Sequence, residues 1–298
     1  MAAMKILITG GSGLLGQYLN LELSSNNEIL TAYNSFKGNC ENYHSVRLNI
    51  NDYSELEKTF EKFRPNIVVH AAAISSPNFI KKYSAKEVYQ TNVFATQKIA
   101  QLCEKYKNKL IYISTDLVYA GYRGSMLKEN AKLIPISIYA ETKLMGEVKI
   151  SEVFDNFIIL RMALLLGFGL NGRENHFHRT YSNLKDGKKV KLFYDQYRTP
   201  LSFFDAAGMI NKICGLDIKT EVMNFGGTER LSRYDVGEIL CKAANFDMNL
   251  LEKISMNDIA DHPQVADVSM NTDKLQSYDI KAKTVEESIS EIVMNNSG

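Results

Sequence analysis

A strand that runs directly into glycines and then into a helix constrains this chain's fold more than any other feature. Lys5-Ile-Leu-Ile-Thr9 reads as a buried strand, Gly10-Gly-Ser-Gly13-Leu-Leu-Gly16 follows, and a helical pattern continues to about Ser24. The glycines keep the spacing G-x-x-G-x-x-G, with Gly11 as an extra. Glycine accepts the tight turn, and its missing side chain lets a pyrophosphate approach the amides at a helix N-terminus. The strand–loop–helix context separates this motif from an ordinary glycine-rich turn. Gly10, Gly13 and Gly16, with Leu14 and Leu15 on the first helical turn, are the candidate residues around such a pyrophosphate.

Short apolar strands then alternate with helical stretches. Strands are expected near 4–9, 28–33, 45–49, 66–72, 109–114 and 157–163, and helices near 13–25, 53–63, 84–107 and 137–154. Ile67-Val-Val-His-Ala-Ala72 is nearly all apolar, as a parallel strand covered on both faces requires. The alternation predicts an α/β fold, a Rossmann-type doubly wound parallel sheet with right-handed crossovers. Past Leu166 the pattern loosens into a loop over 167–173, a helix near 175–186, a strand near 189–194 and a helix near 203–214. A strand ending at Phe225 and a helix near 232–245 follow. The expected organisation is a dinucleotide-binding domain over 1–166 and a smaller C-terminal substrate-binding lobe over 167–298, some of whose elements return to the sheet.

Tyr139-Ala-Glu-Thr-Lys143 carries the chemistry. Four residues apart on a helix, the phenol and the ammonium project from one face. A phenol loses its proton near pH 10, and a fixed cation nearby is expected to lower that value. Such a tyrosine can pass a proton to a carbonyl oxygen as hydride reaches the carbon. Thr115, in Ser114-Thr-Asp116 at the end of the apolar strand Leu110-Ile-Tyr-Ile113, is placed to hold the same oxygen. The Tyr-x-x-x-Lys spacing also occurs at Tyr33/Lys37 and Tyr181/Lys185. The first falls at a strand end and the second on what reads as a surface helix. Only Tyr139/Lys143 has the upstream Ser-Thr.

Composition excludes several alternatives. A net charge of +1 gives no general reason to expect nucleic acid or an anionic membrane as a partner. Cys40, Cys103, Cys214 and Cys241 are scattered, form no metal or redox pair, and fit a reducing compartment. No apolar run reaches membrane-span length and no signal-peptide pattern opens the chain, so the cytoplasm is the expected location. His176 and His178 lack an acidic third ligand nearby, and no metal site is expected. His70, at the end of a buried strand, reads as a satisfied core residue.

These residues resemble the extended short-chain dehydrogenase/reductase superfamily, and within it the dTDP-4-dehydrorhamnose reductase family. The resemblance rests on Gly10–Gly16, Ala71–Ala73, Ser114-Thr-Asp-Leu-Val-Tyr119, Tyr139-Ala-Glu-Thr-Lys-Leu-Met-Gly-Glu147, Asp195-Gln196-Tyr197 and Leu231-Ser-Arg-Tyr-Asp235. It implies Thr115, Tyr139 and Lys143 as the catalytic triad, Asn92 as the family's helix asparagine, and Ala71, Ala72 and Ala73 against the cofactor. The expected cofactor-binding set also includes Asn49, Ile50, Tyr139 and Lys143. The segment after the second strand, Thr31-Ala-Tyr-Asn-Ser-Phe-Lys37, lacks the acid that suits NAD riboses, while Ser35 and Lys37 suit a 2′-phosphate. NADP(H) is therefore the expected cofactor, with NAD(H) open. The expected partner is a sugar-nucleotide substrate, and Arg198, Arg230 and Arg233 are candidate diphosphate ligands. A homodimer stays open as the assembly.

The chain also departs from the family. There is no Trp, and Leu164 stands where members often stack one on the sugar nucleotide. The family's Arg-Pro near the C-terminus is His262-Pro263 here, and Tyr18 replaces an acidic residue that some members use for magnesium. The regulatory β subunit of methionine adenosyltransferase shares the strand end without Trp, so a non-catalytic NADP-binding subunit is an alternative. Related dehydratases place Glu directly after Thr-Asp, where this chain has Leu117. An epimerase needs only the same triad and remains a further alternative.

Overall fold

The computed structural model describes residues 3–75, 82–259 and 264–296. The first half builds β1 (Lys5–Thr9), α1 (Leu14–Leu23), β2 (Glu28–Tyr33), β3 (Ser45–Arg47), α2 (Tyr53–Phe63), β4 (Ile67–His70) and α3 (Ala85–Tyr89). A π turn (Gln90–Phe94) leads into α4 (Ala95–Tyr106), then β5 (Lys109–Thr115), α5 (Ile138–Val153) and β6 (Phe157–Met162). The second half holds β7 (Leu165–Leu166), α6 (His176–Lys185), β8 (Val190–Phe193), β9 (Tyr197–Arg198), β10 (Leu201–Ser202) and α7 (Phe203–Cys214). It continues with β11 (Glu221–Phe225), β12 (Leu231–Ser232), α8 (Arg233–Ala244), β13 (Leu251–Ile254), α9 (Asp273–Gln276) and α10 (Val285–Asn296).

The chain divides into two compact units that interleave in sequence. The first comprises Met1–Val118, Pro135–Arg161 and Ile210–Met223, and the second Tyr119–Ile134, Met162–Met209 and Asn224–Gly298. The seven-stranded sheet has the order β11-β6-β5-β4-β1-β2-β3. The ladders β2–β3, β1–β2, β1–β4 and β4–β5 are all parallel. Strand order reverses between β1 and β4, the switch point outside which open α/β sheets bind ligands. The glycine loop follows β1 and Ala71–Ala73 follow β4, so both motifs lie at the carboxyl ends of the two strands that flank it.

Local chemistry sets the element ends. Asp52 caps α2 by accepting from the Glu55 N–H at 3.1 Å, and Arg64 closes it in the left-handed region. Ser84 and Glu87 form a capping box on α3, and Ser137 caps α5 by accepting from the Ala140 N–H. One core of the first unit is built from Leu7, Leu30, Val68 and Leu110 of the sheet with Phe60, Ile99 and Ile150 of the helices. In the second unit Phe177, Tyr181, Leu184, Leu240, Ile289 and Ile292 pack into another cluster. Tyr181 is a core aromatic there, its ring 4.9 Å from Phe168 and 5.2 Å from Phe246, which corrects the expected surface helix. The helix expected over 84–107 is interrupted, because a π turn at Gln90–Phe94 shifts its hydrogen bonding. Among the described residues no helix is long and apolar enough to cross a membrane.

Candidate functional site

The glycine loop is shaped by contacts only glycine permits. Gly10 has φ of +72°, and a Cβ there would lie 2.7 Å from the Ala72 backbone nitrogen and Cα. A Cβ at Gly16 would overlap the Gly10 carbonyl oxygen, which already accepts the Gly13 N–H at 2.9 Å. Gly13 is the N-cap of α1 and supplies no side-chain bond to its first amides. Those donors and the local dipole suit an anion. The cradle thus fits a dinucleotide pyrophosphate. Leu14 is partly covered and Leu15 buried on the first turn of α1.

Ala71, Ala72 and Ala73 lie just beyond β4 and are partly covered; the strand itself stops at His70. The Ala71 N–H still bonds the Thr9 carbonyl at 3.2 Å, and the Ala72 N–H reaches the Thr9 hydroxyl at 3.3 Å. His70 is fully buried between Thr9 and Thr96, at 2.7 Å and 2.9 Å. The Thr96 hydroxyl donates to the Asn92 carbonyl at 2.8 Å, so the His70 Nε2–H donates to Thr96 and Nδ1 accepts from Thr9. Burial and the nearby Lys143 charge push His70 down to about 3, which keeps it neutral. His70 is thus the satisfied core histidine expected.

Asn92 sits on the π turn. Its side chain accepts from the Ile74 N–H at 2.8 Å and donates to the Ile74 carbonyl and to Thr142 Oγ1, each at 3.1 Å. It thereby ties the segment after β4 to the middle of α5. Thr115 ends β5 and is buried; its hydroxyl donates to Asp116 at 3.2 Å and accepts from the Leu117 N–H at 3.3 Å. Thr115 comes close enough to Tyr139 to bear on its phenol, so the structure brings these two predicted residues together.

Tyr139 departs from one expectation. Burial, followed by the Asp116 charge, pushes its phenol up to about 12, and the Thr115 hydrogen bond only partly opposes this. Lys143 does not lower it in the absence of cofactor. The ammonium instead rests over the face of the Tyr112 ring, 3.9 Å from its centroid. Behind it, Glu147 accepts from Ser114 at 2.5 Å and pairs with Arg161 at 2.8 Å, both side chains of the pair being buried. Tyr112, Glu147 and Arg161 escaped the sequence reading, since an aromatic or a charge within an element carries no local sign of its partner.

Burial also pushes Lys143 down to about 7, while the Glu147 charge pulls it up. An unfolded lysine titrates near 10.5, so between about pH 7 and 10.5 the unfolded chain holds a proton that the folded chain has released. Stability therefore rises with pH across that window, at about 1.4 kcal/mol per unit and a few kcal/mol in total. Below about pH 7 the cost of the buried charge is present in full. Lys143→Met is expected to flatten this slope in cofactor-free protein. Urea midpoints near neutrality and near pH 10 measure it, and equal slopes for parent and variant would contradict the desolvated ammonium.

The remaining candidates are more dispersed. Ser35 and Lys37 are exposed after β2, and Gly11 ties its own N–H to the Ala32 carbonyl on that strand at 2.9 Å. Arg47, which the sequence reading missed, donates to the Asn34 carbonyl at 3.2 Å and stands in register with Tyr33. Asn49 is exposed and accepts from the Asn51 N–H at 3.0 Å, while Ile50 is buried. In the second unit Arg198 is buried and donates to the Tyr197 carbonyl at 2.7 Å. Arg230 pairs with Asp267 at 2.7 Å over the Tyr197 ring, and Arg233 donates to Gln196 at 3.0 Å. Leu164 packs on the second unit's core. Tyr18 is buried within α1, and His262-Pro263 lies outside the described residues.

The family described as RmlD substrate binding domain matches residues 4–297. The chain is 26% identical over 283 residues to a dTDP-4-dehydrorhamnose reductase of Aggregatibacter actinomycetemcomitans, covering 88% of this chain and 87% of that one. It is 23% identical over 288 residues to methionine adenosyltransferase 2 subunit beta of Xenopus laevis, covering 94% and 84%. The crystal structure of dTDP-4-dehydrorhamnose reductase from Bacillus anthracis str. Ames, in complex with NADP, has the same fold, with a TM-score of 0.85, 22% identity and coverage of 98% and 99%. The family match spans nearly every residue, and the chain belongs to the RmlD substrate binding domain family.

Proposed function

We propose that this chain is an NADPH-dependent reductase of a 4-keto-6-deoxy sugar nucleotide, most like dTDP-4-dehydrorhamnose reductase. The observation that carries this reading is that Thr115, at the end of β5, comes up to the Tyr139 phenol, with Lys143 one helical turn beyond. Bound NADPH supplies the hydride. Tyr139, held in its protonated form, gives its proton to the carbonyl oxygen as negative charge develops there. The Thr115 hydroxyl holds that oxygen, and its 3.2 Å bond to Asp116 is long enough to be exchanged at little cost. Lys143 places a positive charge one turn away, where it favours the developing phenolate. Gly10, Gly13 and Gly16 admit the pyrophosphate. Lys37 and Arg47 are the cations nearest the end of β2 in sequence and register, which supports NADP over NAD. Arg230 and Arg233 carry guanidinium groups whose planar donor geometry suits a diphosphate. The four cysteines, free and buried, accord with a cytoplasmic setting.

A second reading, a regulatory NADP-binding subunit, draws on the match to methionine adenosyltransferase 2 subunit beta. The epimerase alternative gains nothing, because the residues after β2 offer no acid. A panel of 4-keto sugar nucleotides, run with NADPH and NADH in parallel, tests the reductase reading. NADPH is expected to be consumed with at least one substrate and faster than NADH, and Lys37→Ala should narrow that gap. A clear NADH preference would contradict the cofactor assignment. No consumption of either cofactor would contradict the reductase.

A further inference from the structure

Lys143 is held by an aromatic face. Its Nζ lies over the Tyr112 ring, 3.9 Å from the centroid. Tyr112 is fully buried on β5, and its hydroxyl donates to the Lys143 carbonyl at 3.3 Å. The ring packs against His70, 5.5 Å away between centroids at 36°, and His70 is itself pinned by Thr9 and Thr96. Gly146 brings α5 against the ring, since any Cβ there would overlap the Tyr112 hydroxyl. Both ends of the contact are thus set by rigid elements.

We propose that Tyr112 is a positioning residue for Lys143. Its ring face takes one side of the ammonium and compensates part of the lost hydration without using a hydrogen-bond acceptor. A ring face attracts a cation through its quadrupole, and the attraction grows when water is excluded. The proposal rests on the reductase reading for its kinetic consequence but not for the contact itself. Other groups that bear on the ammonium are His70 on β4 and Glu147 on α5, with Arg161 on β6 acting through Glu147.

The test keeps the shape and changes the ring's charge distribution. Phenylalanine and pentafluorophenylalanine are introduced in turn at position 112. The Lys143 side-chain carbon signal, assigned by its loss in Lys143→Met, is followed by NMR against pH, and turnover is measured beside it. Tyr112→Phe should titrate like the parent and keep turnover within about threefold. The fluorinated ring should lower the Lys143 midpoint by about one unit and turnover by roughly tenfold near neutrality, as loss of a desolvated cation–π contact implies. Unchanged titration with the fluorinated ring overturns the proposal, and so does an equal loss with plain phenylalanine. If the parent reduces no substrate, the reductase reading fails, while the titration still decides for or against the ring.

Discussion

Tyr139→Phe is expected to lower turnover by about 10²–10⁴-fold, the range typical of a positioned general acid. The substitution keeps the ring and removes one oxygen. That oxygen lies close to Thr115, and its proton is retained by burial and by the Asp116 charge. NADPH affinity should stay close to the parent's, because the glycine cradle and the α1 amides are untouched. Steady-state kinetics and a fluorescence titration of NADPH separate the two effects. Near-parental turnover in this variant would mean that another group delivers the proton.

Gly10→Ala is expected to have the second large effect, on stability and cofactor binding together. A left-handed backbone angle of +72° costs an alanine roughly 1–2 kcal/mol. The added Cβ would also meet the Ala72 backbone at 2.7 Å, an overpacking worth about 1–3 kcal/mol that a backbone neighbour relieves poorly. Gly172→Ala makes the control, since its φ of +75° is similar while nothing lies within 4 Å of the new Cβ. Gly10→Ala should therefore destabilise distinctly more than Gly172→Ala, and weaken NADPH by at least about tenfold as the loop shifts. Urea midpoints that fall equally for the two variants would rule out close packing of Gly10 on the segment after β4.

Features that depend on neighbours in sequence were the legible ones. The strand–glycine–helix start, the alternation through β6 and the Ser-Thr to Tyr-x-x-x-Lys pattern are local periodicities and turn chemistry, and the fold follows from them. The helix over 84–107 looked continuous because nothing in its propensities marks the π turn. The side-chain partners of that turn are distant in sequence, since Asn92 bonds Thr142 and Ile74, 50 and 18 residues away. Tyr112 read as an ordinary strand aromatic because Lys143, whose carbonyl its hydroxyl bonds, lies 31 residues on. Tyr181 looked exposed because the rings it packs on, Phe168 and Phe246, come from outside its helix. The β7–β10 and β9–β12 ladders of the second unit are two residues long and carry no period to read. The phenol's raised pKa was the chemical surprise: the lysine expected to lower it is occupied by a ring.

The central claim is that hydride passes to a sugar carbonyl on this chain. NADPH deuterated at the transferred position of the nicotinamide, incubated with a 4-keto-6-deoxy sugar nucleotide, measures this most directly. The reductase predicts one deuterium on the former carbonyl carbon of the product, with the label much reduced in Tyr139→Phe. Absence of any labelled product across the substrate panel, from protein that binds NADPH and purifies in a stable hetero-complex, would contradict it and identify a regulatory subunit instead.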